Sequence, residues 1–445
     1  MSSFCRILFV FDRNLRLDNN SLLKACLDRC KDRCCEVMFL YVWDEEYLWP
    51  HGYNAFQANF LQDALARLRN QLQWFDANLL VTKGDRLEII RKLIDDGDYR
   101  KVFMESSLSP HEEGDYRKIE VRLQELNGTL VSDLGNWLYP KGVVKSKQGG
   151  VFKKYSPFMK ACEKLFEEDL QQFKDHFFAA EHLPWSAIRA VHEIGFGYLP
   201  MEIDSLGLDD FYVWNDEMLE SYKEFRDFPW REKGTSMMGA YLRFGVVSIK
   251  RLAVEAWGKS RTMWNELVWR EFFAHWYAAF PETAIENFDH RFDMMKWEND
   301  VHLWEKWIEG KTGYLMIDAG ITSLVKSGYI HNRVRMVVAS FLCKDLHMDW
   351  RKGEAFFARY LIDYDPASNV GNWQWVAGCG VDAAPYFRIF NPELQQDKFD
   401  ANKIYAYRWL PVDYQVNKML DHGVEKVVAM KLYDDLKREW EYNKG

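Results

Sequence analysis

The first third of the chain alternates between two patterns. Short, continuous apolar runs occur at CRILFVF (5–11), EVMFLYVW (36–43), NLLVTK (78–83), KVFME (101–105) and TLVSDL (129–134). Between them, apolar residues recur at helical spacing near 20–33, 55–75, 85–96 and 112–127. A strand that is apolar on both faces must be covered on both. The alternation therefore predicts a parallel sheet with helices on either side. No GxGxxG follows the first run, so a dinucleotide fingerprint is absent. From about residue 211 onward the pattern reads as nearly all helix. The expected fold class is an α/β, Rossmann-like N-terminal domain over 1–133, a connection over 134–210 and an all-α C-terminal domain over 211–445. Within the connection, KGVVKSKQGG (141–150) reads as a basic, glycine-ended surface loop.

One stretch interrupts the helical pattern. Residues 361–399 read LIDYDPASNVGNWQWVAGCGVDAAPYFRIFNPELQQDKF. Asp363 and Asp365 are followed by Pro366, Ser368, Asn369 and Gly371, then by Trp373 and Trp375, and Gly378 and Gly380 break the chain again before Arg388. Pro, Asn and Gly at this spacing predict a loop that projects side chains. An irregular, aromatic-rich core connection is an equally open reading of the same residues.

Upstream of it, NELVWREFFAHWY (265–277) sets Glu266, Trp269, Arg270 and Phe273 on one helix face. A salt-bridged surface helix would explain Glu266 and Arg270 but not Trp269 and Phe273. In the stretch 312–357, Asn332, Arg335, Met336 and Ala339 recur at helical spacing. Arg335 among apolar neighbours needs a carboxylate partner if it is buried. GTSMMGAYLRFGVVS (234–248) reads as a helix opened by Gly-Thr-Ser, an ordinary N-cap that can also receive an anion. His331 reads as a packed or surface histidine more readily than as a catalyst.

Composition narrows the choice. At 445 residues the chain is too long for one ordinary domain. Its net charge of −9 means that any nucleic-acid contact has to come from a local patch. Nineteen tryptophans are a surplus, fit for stacking flat ligands or for a Trp-rich core. Cys26, Cys30 and Cys34 repeat at helical spacing, with Cys35 beside them, and read as the packed face of a helix; no metal site is expected. No signal peptide, long apolar run or lipidation motif is visible, so a soluble, cytoplasmic protein with reduced thiols is expected.

The 361–399 stretch resembles, nearly residue for residue, the flavin-binding loop of the photolyase and cryptochrome family. The match extends back to about Glu266 and, more weakly, to the N-terminus. There FDRNLRLDNNSLL (11–23) fits the family signature at Leu15, Arg16, Leu17 and Asn20 but not at Asp12, Asn14 and Asn19. FKKYSPFMKAC (152–162) resembles the family's Tyr-x-x-(Ser/Thr)-Pro-Phe segment. The overall pattern is similar to the class I branch that acts on cyclobutane pyrimidine dimers, because His331-Asn332-Arg333 lacks the paired histidines of the six-four branch.

The resemblance implies light-driven repair of cyclobutane pyrimidine dimers in DNA, by electron transfer from reduced FAD to the flipped-out dimer. It implies FAD contacts at Tyr222, Thr235, Ser236, Met237, Met238, Gly239, Arg270, Arg335, Asp363, Tyr364, Asp365 and Asn369. Met237 and Gly239 depart from the residues common at their positions. Asn369 matches the residue facing flavin N5, and Arg335 the partner of Asp363. Trp373, Trp350 and Trp297 match the family's electron-carrying tryptophan chain. For the lesion the resemblance implies Glu266, Trp269, Asn332, Met336 and Trp375, with Arg226, Arg270, Arg333 and Arg388 as candidates for phosphate contacts, either of DNA or of the cofactor. A second, antenna chromophore of folate or deazaflavin type is a further expectation, with His111, Glu112 and Glu113 in the segment that holds folate in some members. No obligate protein partner is expected, and the protein reads as a monomer. The alternative is a cryptochrome photoreceptor, including the single-strand-preferring DASH type, of which DYDPASNVGNW is reminiscent. A plain flavoprotein electron carrier would leave Glu266, Trp269 and Trp375 without purpose.

Overall fold

The computed structural model describes residues 5–32, 35–146, 148–195, 197–203, 205–207 and 212–444. Two compact units result. One comprises 1–149, 159–211 and 238–258, the other 150–158, 212–237 and 259–445. The expected boundary at 210 falls one residue from the division at 211/212, whereas that at 133 has no counterpart, and 150–158 and 238–258 each belong to the other unit.

In the first unit, strands β1 (Cys5–Val10), β2 (Cys35–Trp43), β3 (Leu79–Lys83), β4 (Lys101–Met104) and β5 (Thr129–Val131) form a parallel sheet in the order β3-β2-β1-β4-β5. A short strand β6 (Ile188–Ala190) pairs in parallel with the start of β2. The register sets Leu8 beside Met38 and Val102, and Val10 beside Leu40 and Met104. Chain order runs outward from β1 to one edge and then from β4 to the other, the doubly wound arrangement. Helices α1 (Ser21–Asp28), α2 (Ala55–Gln73), α3 (Arg86–Asp96) and α4 (Pro110–Glu125) connect the strands. Three of them start at a side-chain cap, and α4 starts with Pro110 in its first turn. Asn20 caps α1, Asn54 and Gln57 form a capping box on α2, and Asp85 caps α3.

Residues 238–258 join this unit through specific bonds. The Leu15 amide donates to Phe244 O (3.1 Å), and the Arg16 guanidinium donates to Gly245 O (2.8 Å). Cys26 is buried on α1, Cys30 lies just beyond its end and Cys35 opens β2; Cys34 lies outside the described residues. Among the described residues no His, Cys, Asp and Glu cluster could hold a metal. The side chain of His111 is outside the described set.

The second unit is helical. Its site is built on α5 (Asp216–Phe225), α6 (Arg261–Ala279), α7 (Asn332–Ser340), α8 (Trp350–Tyr360) and α9 (Pro366–Ala377), and α10 (His422–Lys444) closes the chain. Among the described residues no helix is long and apolar enough to cross a membrane.

The stretch 361–399 departs from its expected form. It is not a loop: residues 366–377 are helix α9, and Pro392–Phe399 form another helix. Asp365 caps α9 by accepting from the Ser368 amide (3.0 Å), Pro366 sits in the first turn, and Gly378 ends it at φ 94°. The turn-forming residues here mark helix ends. Gly371 has a different reason. A Cβ there would stand 2.2 Å from Cδ1 of Phe273, so the glycine is what lets α9 lie against α6.

A second correction concerns Gly-Thr-Ser. The helix that follows opens only at Gly239, with Met238 at its N-cap and no side-chain cap bond. Met237 sits at φ 52°, which breaks helical continuity ahead of it, so Thr235 and Ser236 do not cap a helix.

Candidate flavin and lesion site

Helices α7, α8 and α9 enclose a cleft of about 550 Å³, counted to its open mouth. Asn332, Arg335, Met336, Asp363, Tyr364, Asp365, Asn369 and Trp373 all line it, with Phe357 and Asn372 among the rest. Helical spacing explains the α7 contribution, since Asn332, Arg335, Met336 and Ala339 form one stripe. His331 caps α7 by accepting from the Arg333 amide (3.1 Å). Burial, with Arg335 beside it, pushes its imidazole down to about 4, so it is neutral at pH 7 and serves as a cap.

Arg335 finds the carboxylate its burial requires. Its Nη2 donates to Asp363 Oδ2 (2.8 Å) and its Nε donates to Ile330 O (2.7 Å). Burial disfavours the guanidinium charge, but the Asp363 carboxylate more than offsets this and raises its pKa. The other carboxylate oxygen, Asp363 Oδ1, is buried without a hydrogen-bond partner among the described residues. An unsatisfied buried acceptor is costly, so a ligand N–H or O–H belongs there.

Asn369 offers a second acceptor. Its Nδ2 donates to both the carbonyl (3.1 Å) and Oε1 (3.0 Å) of Glu354, which leaves its Oδ1 as the group available to the cleft. Glu354 itself escaped notice in the sequence. It sits on the buried stripe Trp350, Gly353, Glu354, Phe357 and Ala358 of α8, and burial raises its carboxyl to about 7 against the Asn369 hydrogen bond. A lone carboxylate on an apolar helix stripe was the signal that could have found it.

Trp373 and Trp375, one residue apart, leave α9 on opposite sides. Trp373 is buried and meets Phe357 edge-on at 5.0 Å, over Gly353, where a Cβ would stand 2.2 Å from its Cη2. Trp375 is half-buried and is not among the cleft-lining residues. Trp350 is fully buried, with its indole N–H donating to Asn287 Oδ1 (2.9 Å), and Trp297 is half-buried ahead of the helix Val301–Ile308.

A second group lies on α6 and α5. Positions 262, 265, 266, 269 and 270 of α6 are half-buried at helical spacing, while Phe273 continues the stripe into the core. Glu266 is not alone there: Arg226, at the end of α5, donates to its Oε1 and lies over the Tyr222 ring (5.4 Å). Trp269 is stacked by Tyr155. Thr235 Oγ1 lies 3.4 Å from the hydroxyl of Tyr329, and Ser236 O accepts from the Val213 amide (2.9 Å). Met238 and Gly239 fall in the sheet-bearing unit. Arg333 is engaged by Asp227 (2.7 Å) and lies over Phe399 (4.4 Å), whereas the Arg388 side chain is exposed.

Residues 263–441 match the profile described as the FAD binding domain of DNA photolyase, and residues 7–175 that described as DNA photolyase. A protein named deoxyribodipyrimidine photo-lyase from Agrobacterium fabrum is 34% identical over 426 residues, 91% of this chain and 87% of that one. The chain belongs to the DNA photolyase family. An Escherichia coli protein of the same name is 32% identical over 90% of this chain and 88% of its own length. Among solved structures, a class III photolyase from Agrobacterium tumefaciens is similar with a TM-score of 0.81 and 28% identity, covering 98% of this chain and 99% of that one. A Synechocystis cryptochrome shares the fold (TM-score 0.82, 23% identity, covering 97% of this chain and 100% of that one). A Sulfolobus tokodaii photolyase, 25% identical with a TM-score of 0.79 over 97% of this chain and 100% of that one, is described with two FAD molecules.

FAD is therefore the family cofactor. The cleft suits it, because Asp363 Oδ1 and Asn369 Oδ1 are the acceptors that the N–H groups of a flavin ring require.

Proposed function

We propose that this protein repairs cyclobutane pyrimidine dimers in DNA under blue light. The observation that carries the reading is that one cleft is lined both by Asn332 and Met336, assigned to the lesion, and by Arg335, Asp363 and Asn369, assigned to the flavin. Electron transfer falls off steeply with distance, so a flavin and a lesion sharing one cleft is what such chemistry needs.

FAD supplies the light absorption and the electron. The chain supplies position and polarity. Arg335 and Asp363 hold the ring, and Asn369, fixed by Glu354, presents its carbonyl to it. A dimer has to leave the duplex to reach the cleft, which costs least where damage has weakened stacking. Trp269 and Trp375 are assigned as apolar walls for the flipped bases. Asn332 hydrogen-bonds a base edge. Glu266, with the Arg226 guanidinium against it, sets the electrostatics where charge arrives on a base carbonyl. Arg388, exposed, is a candidate for backbone phosphate, and Arg226, Arg270 and Arg333 are the others; Arg226 and Arg333 are already engaged by Glu266 and Asp227.

The fold is shared with a cryptochrome and does not itself separate repair from signalling. Affinity does. In the dark, a duplex carrying one thymine dimer should bind at least tenfold more tightly than the undamaged duplex. Equal affinity for the two would favour the photoreceptor reading.

A further inference from the structure

Tyr155 belongs to the FKKYSPF segment, which the reading above leaves without a role. Its ring lies flat on the indole of Trp269, with centroids 3.5 Å apart and planes within 4°. Full face-to-face overlap is not what aromatic pairs adopt by preference; offset or edge-on arrangements are better. Here polar anchors hold it. The Tyr155 hydroxyl donates to Asn265 O (3.0 Å), on the same helix as Trp269, and the Tyr155 amide donates to Asp382 Oδ2 (3.1 Å). Asp382 also accepts from Lys154 Nζ (3.1 Å) and sits at φ 47°, a conformation costly for a residue with a Cβ. Phe272 closes the arrangement edge-on against both rings, at 5.8 Å from Tyr155 and 5.7 Å from Trp269.

We propose that Tyr155 is a positioning residue for lesion binding: anchored by Asn265 and Asp382, it covers one face of Trp269 and fixes the indole plane for the flipped base. Tyr155 covers one face of the indole, and Phe273 also lies against it, with centroids 5.6 Å apart and planes at 29°. Trp269 remains half-buried, so part of its surface is still open to a base. Holding that plane in advance removes the ordering cost a base would otherwise meet on stacking. The inference rests on the assignment of Trp269 as a lesion wall.

The test measures dark affinities for dimer-containing and undamaged duplex, with light-driven dimer loss at saturating substrate. Tyr155→Leu removes the flat ring. It should weaken dimer binding by roughly 5- to 10-fold, the lower end of a base-stacking contribution, and leave undamaged binding and saturated turnover within about twofold. Tyr155→Phe keeps the ring but removes its hydroxyl bond to Asn265 O, so it should weaken dimer binding in the same direction as Tyr155→Leu and by less. Asp382→Gly removes the distant anchor without adding backbone strain and should shift dimer affinity in the same direction as Tyr155→Leu. It carries the test if the leucine variant does not fold. A leucine variant that discriminates as well as wild type overturns the proposal, as does one that binds the dimer more tightly, which would make Tyr155 a plug. Equal weakening on both duplexes also overturns it. If wild-type protein itself does not discriminate, the lesion reading fails first.

Discussion

The side-chain amide of Asn369, half-buried, donates to the buried carboxyl of Glu354 at 3.0 Å, across two helices. The pair ties the pH behaviour of the fold to the cleft. Burial raises Glu354 from 4.5 to about 7. A carboxyl with a raised folded pKa holds its proton longer in the folded state than in the unfolded one. Its contribution is therefore fully present below pH 4.5 and is lost as pH rises through about 7. Glu354→Gln keeps an acceptor for Asn369 and removes the titration. Its thermal stability should fall less than that of wild type between pH 5 and pH 8, a difference on the order of 3 kcal/mol. Parallel curves for the two proteins would contradict the assignment.

Asp363→Ala should release FAD. Arg335 would lose its partner in a largely buried site, and breaking such a pair costs about 3–5 kcal/mol. The check is the flavin absorbance left with the protein after gel filtration. Full retention would show that the ion pair is dispensable for binding.

Trp297→Phe separates two light reactions. Phenylalanine is far harder to oxidise than tryptophan, so light-driven reduction of bound, oxidised FAD should slow sharply. Dimer repair after chemical reduction should be unchanged. If both fall together, Trp297 is a structural residue.

Glu266→Ala should leave affinity for the dimer largely intact and lower repair per absorbed photon, since Glu266 acts where charge arrives. Arg226, deprived of its partner, would remain as a cation near the base. The quantum yield at saturating DNA reads this out, and an unchanged yield would remove Glu266 from the chemistry.

Much of the fold was legible because strands such as residues 7–10 are buried on both faces and read as unbroken apolar runs. The Arg335–Asp363 pair was legible through the resemblance and through the need of a buried guanidinium. What misled was turn chemistry. Pro366, Asn369 and Gly371 look like a loop but serve as a first-turn proline, a cleft-facing amide and a packing glycine, because loops and helix ends draw on the same residue types. Gly-Thr-Ser looked like a cap, but Met237 turns the chain at φ 52° before any helix begins. The Glu354–Asn369 bond and the Tyr155–Trp269 stack were out of reach for another reason. Their partners are distant in sequence, and only the folded chain brings them together.

The most direct test uses purified protein with FAD bound and reduced, mixed with an oligonucleotide carrying a single thymine dimer. Dimers are counted by chromatography after blue light and after an equal time in the dark. The account predicts loss of the dimer and recovery of the two thymines in the light alone. Dimers that persist through illumination, with FAD reduced and DNA bound, would contradict it.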